Sequence, residues 1–236
     1  SFDPGMILTY AAAFTTRIRL GVAVVVLPVH NPSHVAHQFT TLDHISNGRA
    51  ILGLGLGREH HYEEFQIPTE HRVRRFREGI DIIKALWTQP KVDYPGTIYR
   101  LHDTGMVIKP VQKPHPPIWL GGQHPDAIRR AAKIADGWMA AGASTTPDYG
   151  KYVKILREEL EKLGRDPAKF PISKRVFMSV AERTDTAKAC RAEDRPQRRD
   201  HTGKRTLQAG AGVADIGHRP LERTQLAFQL LQWRRH

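Results

Sequence analysis

Hydrophobic and polar positions follow two periods along this chain, one of about 3.6 residues and one of near-continuous apolar runs, and the two take turns. Asp3-Pro4 pairs a capping side chain with proline at the first helical position and predicts a helix through Phe14. Residues 17–27 form a β-branched run, the pattern of a strand buried on both faces. Asn31-Pro32 repeats the cap-plus-proline signal, after which Val35, Phe39, Leu42 and Ile45 mark one apolar face. Asn47-Gly48 turns the chain into a second buried strand over residues 50–57. A long loop leads to an amphipathic helix over 70–87, with Val73, Phe76, Ile80, Ile83 and Trp87 on one stripe. Residues 90–110 read as an insertion turning at Tyr94-Pro95-Gly96, with short strands over 98–101 and 106–108. Then come a strand over 116–120, a helix over 125–135, a strand over 137–141, a helix over 146–163 and a strand over 172–180.

Strands alternating with helices imply parallel pairing through helical crossovers. A doubly wound sheet and a barrel both satisfy that order. After Ala189, Arg, Gln, Gly and Pro replace the periodic hydrophobes until Leu226. The chain therefore divides into a patterned region, 1–189, and a basic tail, 190–236, expected to be disordered or a frame-shifted translation.

Charge and composition narrow the classes. The net charge is +12, yet the last fifth of the chain, from Cys190 to His236, carries ten Lys/Arg against five Asp/Glu. The remainder sits on helix faces, as at Arg72, Arg74, Arg75 and Arg77, with no basic run interleaved with aromatics. No nucleic-acid partner is expected. No apolar run is long enough to span a bilayer, so no membrane partner is expected either. A single cysteine, Cys190, excludes an internal disulfide framework and points to a reducing, cytoplasmic compartment. The chain begins without a methionine or a signal-peptide pattern, as a segment of a longer product would.

The candidate chemistry lies where strands end. Gly53-Leu54-Gly55-Leu56-Gly57 is not a dinucleotide fingerprint, because the glycines alternate within a strand and no helix opens directly from them. Alternate glycines instead leave one face of the strand bare, so that something large and flat can approach the backbone. Gly121-Gly122-Gln123 leads through Pro125 into a helix, where free N–H groups favour an anion. Gly142 and Ser144 belong to a second such loop. Arg58-Glu59-His60-His61-Tyr62-Glu63-Glu64 gathers ionisable groups just after a strand, where barrels keep their active sites. There is no H-E-x-x-H spacing for zinc and no G-x-S-x-G elbow for a nucleophilic serine. No metal site is expected.

Six segments carry a resemblance. They are Thr15-Thr16-Arg17-Ile18-Arg19-Leu20-Gly21-Val22, Asn31-Pro32, Thr41-Leu42-Asp43-His44-Ile45-Ser46-Asn47-Gly48-Arg49, Leu52-Gly53-Leu54-Gly55-Leu56-Gly57, Lys109-Pro110-Val111-Gln112-Lys113-Pro114-His115-Pro116-Pro117-Ile118-Trp119 and Ala135-Asp136-Gly137-Trp138. In this order and spacing the chain resembles the bacterial-luciferase-like family of FMN- or F420-dependent oxidoreductases and monooxygenases. The resemblance implies an α/β fold of the TIM (β/α)8 type, here incomplete at the N-terminus and irregular at the C-terminus. It implies hydride transfer or dioxygen activation at the ring of F420 or FMN, with Arg58 and His61 tipping the choice towards F420. It places Ala23 and Val24 at a bulge or non-prolyl cis peptide behind that ring. By the same resemblance, Gly55, His61, Gly121, Gly122, Gly142 and Ser144 line the cofactor, and His61 is the catalytic candidate. Expected partners are a small-molecule substrate and a second copy in a homodimer. The alternatives are a barrel that binds flavin without turnover and an inactive fragment.

Overall fold

The computed structural model describes residues 3–141 and 144–175. Helix α1 (Pro4–Phe14) leads to β1 (Leu20–Gly21), β2 (Val25–Val26), a 3-10 turn at Leu27–Val29 and α2 (Pro32–Ile45). Then follow β3 (Ala50–Gly55), the short α3 (Glu59–Glu64) and α4 (Arg72–Thr88). A hairpin of β4 (Val92–Pro95) and β5 (Arg100–Thr104) precedes β6 (Ile118–Gly121). The described chain closes with α5 (Pro125–Ile134), β7 (Gly137–Ala140), α6 (Thr146–Lys162) and β8 (Ile172–Lys174).

Polar caps set the helix starts. The side chains of Asp3, Asn31, His124 and Thr145 accept from backbone N–H groups in the first turns of α1, α2, α5 and α6, each with proline at one of the first two helical positions.

The sheet resolves the choice between barrel and doubly wound fold. β1 and β2 both pair with β3, and the order continues through β6, β7 and β8, parallel throughout. A doubly wound sheet reverses direction at a switch point. Here each strand adds on the same side as the last, which with right-handed crossovers keeps the helices on one face. The result is an arc of a TIM-type barrel.

The two faces of β3 show it. Ala50, Leu52 and Leu54 join the main core with Phe39, Ile80, Ile83 and Trp138. Ile51, on the other face, packs with Trp119 and Met139 in a separate cluster that also touches Ala23 and Val24.

Several sequence expectations are corrected. The strand over 17–27 is two short pieces, Leu20–Gly21 and Val25–Val26, with the cis Ala23–Val24 peptide between them. The loop after β3 contains α3, so His60 and His61 are helical. Strands at 98–101 and 106–108 are replaced by the β4–β5 hairpin, with Val107 and Ile108 exposed. Glu78 of α4 explains that register: its buried carboxylate accepts from the N–H groups of Thr97, Ile98 and Tyr99 at 3.1, 2.9 and 3.0 Å and so holds the hairpin tip. Val73 is exposed and lies off the buried stripe of α4. The basic tail, 190–236, lies outside the described residues.

The N-terminal ends of the strands form a polar clamp. Asp43, fully buried, accepts from Gln112 N at 2.9 Å and Gln112 Nε2 at 2.7 Å, and Gln112 Nε2 also donates to Ala50 O. The Arg49 guanidinium donates to Ser46 O, Ile18 O and Ala12 O and to both oxygens of Thr15, closing the carboxyl end of α1.

Candidate functional site

The opposite, carboxyl end of the sheet is where a barrel of this type works. Its geometry starts from the alternating glycines. A Cβ built on Gly53 would overlap the backbone carbonyl of Val22, one on Gly55 the Val24 side chain, and one on Gly57 the Val26 side chain. The three glycines therefore follow the neighbouring strand residue by residue. On β6, a Cβ at Gly121 would lie 2.9 Å from Val24 Cγ1. Val24 thus sits in a socket between Gly55 and Gly121, on the face away from the helices.

This corrects one element of the sequence reading. The bare faces of Gly55 and Gly121 admit the Val24 side chain rather than facing an open cavity themselves. The wall they create is made of Ala23 and Val24, both half-buried and packed with Ile51, Trp119 and Met139.

Beside this wall, Gly122 takes φ +154°, and a Cβ there would come within 2.7 Å of Ala127 Cβ. Its carbonyl accepts from Trp138 Nε1 at 2.9 Å, which fixes the turn into α5. The N–H groups of Gln123 and His124 have no acceptor among the described residues. They stand at the N-terminal end of α5, where the helix dipole favours negative charge. Gln123 Nε2 is also buried without an acceptor there. On the next loop, Ser144 Oγ donates to Ala141 O at 2.8 Å, and Thr145 caps α6. Gly142 lies outside the described residues.

His61 stands on α3, one short loop beyond β3. Tyr62, its neighbour, ties α3 back to that strand through a 2.6 Å hydrogen bond to Leu56 O. The Arg58 N–H donates to His61 Nδ1 at 3.1 Å. The same Nδ1 lies 3.2 Å from Arg58 O, so the ring is held against both backbone groups of Arg58. His60 packs on the His61 ring with centroids 3.9 Å apart. Val24 therefore touches both Gly55 and Gly121, Ala23 belongs to the same wall, and Gly122 follows Gly121. His61 and Ser144 share their end of the sheet, but their hydrogen bonds are local.

The sequence reading missed His30. It follows the 3-10 turn at the carboxyl end of β2 and meets Phe65 edge-on, with ring centroids 5.3 Å apart. Burial pushes its imidazole below the usual histidine range, nearby Asp3 pushes it up, and His34 adds to the lowering. A lone histidine before a helix cap carries no spacing signal that would have marked it. Among the described residues there is no cluster of three or more potential metal ligands, and no helix is long and apolar enough to cross a membrane.

The family pattern described as luciferase-like monooxygenase matches residues 1–228. The chain belongs to the luciferase-like monooxygenase family. It is 34% identical to an uncharacterized protein of Mycobacterium tuberculosis over 171 residues, which is 70% of this chain and 58% of that protein. It is 30% identical to the F420-dependent glucose-6-phosphate dehydrogenase of Kineococcus radiotolerans over 229 residues, covering 94% of this chain and 64% of the enzyme. It superimposes on the monooxygenase RslO1 of Streptomyces bottropensis with a TM-score of 0.75 at 27% identity, covering 81% of this chain and 59% of that one. The chain thus spans about three-fifths of the length of these relatives.

Proposed function

We propose that the protein is an oxidoreductase that holds F420 or FMN at the carboxyl rim of its sheet and acts on a small-molecule substrate. The observation that carries this reading is the socket in which Gly55 and Gly121, from two strands, seat Val24 of a third. The socket sets a smooth apolar wall beside an anion-accepting turn. A tricyclic ring with a phosphate-bearing tail needs both surfaces side by side.

The residues fit such a group. Val24 and the Ala23 backbone would back the ring. The N–H groups of Gln123 and His124 would receive phosphate oxygens at the start of α5, with Ser144 on the adjoining loop. The buried Gln123 amide, which otherwise forfeits about 1–3 kcal/mol as an unpaired donor, would find its acceptor there. His61 would offer its imidazole as a hydrogen-bonding group to the ring or the substrate. When bound, the cofactor supplies the electron chemistry, as a hydride from its central ring or, for FMN, by activating dioxygen.

F420 is the preferred partner. The F420-dependent dehydrogenase of Kineococcus radiotolerans aligns with nearly the whole chain, and Arg58 beside His61 suits an acidic tail. The test is fluorescence titration of the protein with F420 and, separately, with FMN. Saturable binding of F420 at one equivalent supports the proposal. Failure of both cofactors to bind overturns it.

A further inference from the structure

The amino-terminal ends of the strands, opposite the cofactor rim, carry an apolar tip set in basic surroundings. Val107 is fully exposed and its neighbour Ile108 is 64% exposed. Neither is there by fraying. Met106 before them and Pro110 after them are buried, and Lys109 turns its ammonium inward to donate to Leu86 O and Gln89 O. The two β-branched side chains are thus held out in water by a fixed loop, and apolar groups presented in this way mark a contact surface.

Three ties join the loop to its surroundings. His44 Nε2, at the end of α2, lies 2.8 Å from Lys109 O, Arg19 Nη2 donates to Gln112 Oε1 at 3.2 Å, and Val111 borders Gly48. Residues 15–19, 44–49 and 105–117 therefore share one end of the sheet, and they contain five Lys/Arg and no Asp/Glu. Arg17, Arg19 and Lys113 are exposed there, as are Ile18, Ile45 and Val111. Asp43, next to them in sequence, is fully buried against Gln112, and Asp103, just before the loop, is paired with Lys91 at 2.8 Å.

This combination of positive charge and apolarity selects the occupant. A second copy would bring the same cations against one another. Nucleic acid matches the charge but leaves Val107 and Ile108 in water. A folded protein needs a pocket shaped to the tip. An anionic bilayer supplies phosphates for the cations and a deformable apolar layer for the two side chains. No helix among the described residues is long and apolar enough to cross a membrane, and a peripheral contact requires none.

We infer that the amino-end face docks on an anionic lipid surface, with Val107 and Ile108 entering the boundary between headgroups and acyl chains and Arg17, Arg19 and Lys113 at the phosphates. Docked in this way, the protein turns its carboxyl rim towards water. The inference is independent of the cofactor.

Flotation of the full chain with vesicles tests it, comparing equimolar phosphatidylglycerol and phosphatidylcholine with phosphatidylcholine alone, and circular dichroism is the control for folding. The wild type is expected to float with the anionic vesicles and to stay in solution with the neutral ones. Val107→Ser with Ile108→Ser, both at exposed positions, is expected to weaken partitioning at least about tenfold with an unchanged spectrum. Arg17→Gln with Lys113→Gln is expected to weaken it about fivefold per charge, and by less at high salt. Adsorption through the basic tail, 190–236, responds to salt but not to the substitutions at Val107 and Ile108. Binding indifferent to those two substitutions therefore overturns the inference. So does equal binding to both kinds of vesicle, or a wild type that stays in solution with both, as when an acidic protein covers the face.

Discussion

Replacing Gly55 by alanine adds one methyl group, and the structure says where it goes: into the Val24 side chain. Carbon atoms pack comfortably at about 3.5–4.0 Å, so one of the two must give way by about 1 Å. Val24 has little freedom to do so, because a β-branched side chain is stiff at χ1 and its other methyl already faces Gly121. Overpacking of this kind costs about 1–3 kcal/mol. Alanine in place of glycine offsets about 0.5–1 kcal/mol of it through the unfolded chain, leaving a net loss of about 1–2 kcal/mol. Val24→Ala removes both methyls. The new Cβ then meets only the Val24 Cβ, at 3.4 Å, and Gly55→Ala should become neutral or slightly stabilising in that background. Urea unfolding of the four proteins, followed by tryptophan fluorescence, gives the coupling energy, expected at about 1–3 kcal/mol. Additive effects, within about 0.5 kcal/mol, would refute the reasoning that the glycines exist to seat Val24.

Three further outcomes follow from other sites. Glu78→Gln turns an amide N–H2 towards three backbone donors and should cost about 2–3 kcal/mol in thermal or urea unfolding. Burial pushes Glu78 up, but the N–H groups of Tyr99, Ile98 and Thr97, with Arg74, outweigh it and hold its pKa below the usual carboxylate value. Its contribution is therefore complete above the usual glutamate range and is lost as pH falls through the lowered folded value. The stability gap between wild type and Glu78→Gln should narrow on acidification, and a gap that widens contradicts the assignment. Asp43→Ala leaves Gln112 N unpaired, and Gln112 Nε2 with only Ala50 O, beside a fully buried site, and should cost about 2–4 kcal/mol, read as a lowered midpoint in urea. Gly122→Val forces a side chain against Ala127 at an unfavourable φ and should weaken F420 binding by at least about tenfold in a fluorescence titration, equivalent to 1.4 kcal/mol.

The family segments were legible in the sequence because each answers a packing demand, but the sequence does not say at which end of the barrel. Asp43, Arg49 and Gln112 lie at the N-terminal ends of the strands and tie α1, α2, β3 and the loop before β6 together. In Ala135-Asp136-Gly137-Trp138, Asp136 accepts from Ile118 N at 2.8 Å, and Gly137 leaves room for the Trp119 ring. Trp138 then reaches across to the Gly122 carbonyl. That segment ties the start of β6 to the turn at Gly122. The alternation of strand and helix was readable from periodicity, whereas the strand order needed pairing partners that no local pattern records. The break at Ala23–Val24 was invisible to hydrophobic pattern, since a β-branched run reads the same whether straight or interrupted. It entered only through the resemblance. Helix α3 escaped because Glu59–Glu64 is short and polar, held by a 2.6 Å hydrogen bond from Tyr62 to Leu56 O rather than by an apolar stripe. His30 escaped because its environment depends on Phe65, more than thirty residues further along the chain.

The most direct measurement of the central claim is F420 binding to the wild-type protein and to Val24→Asp, by quenching of the deazaflavin fluorescence. A ring lying against the Val24 wall predicts saturable binding to the wild type and its loss in the variant, because an ionised carboxylate cannot leave water to face the ring. Equal affinity in both proteins, or no binding of F420 or FMN to the wild type, would contradict the account.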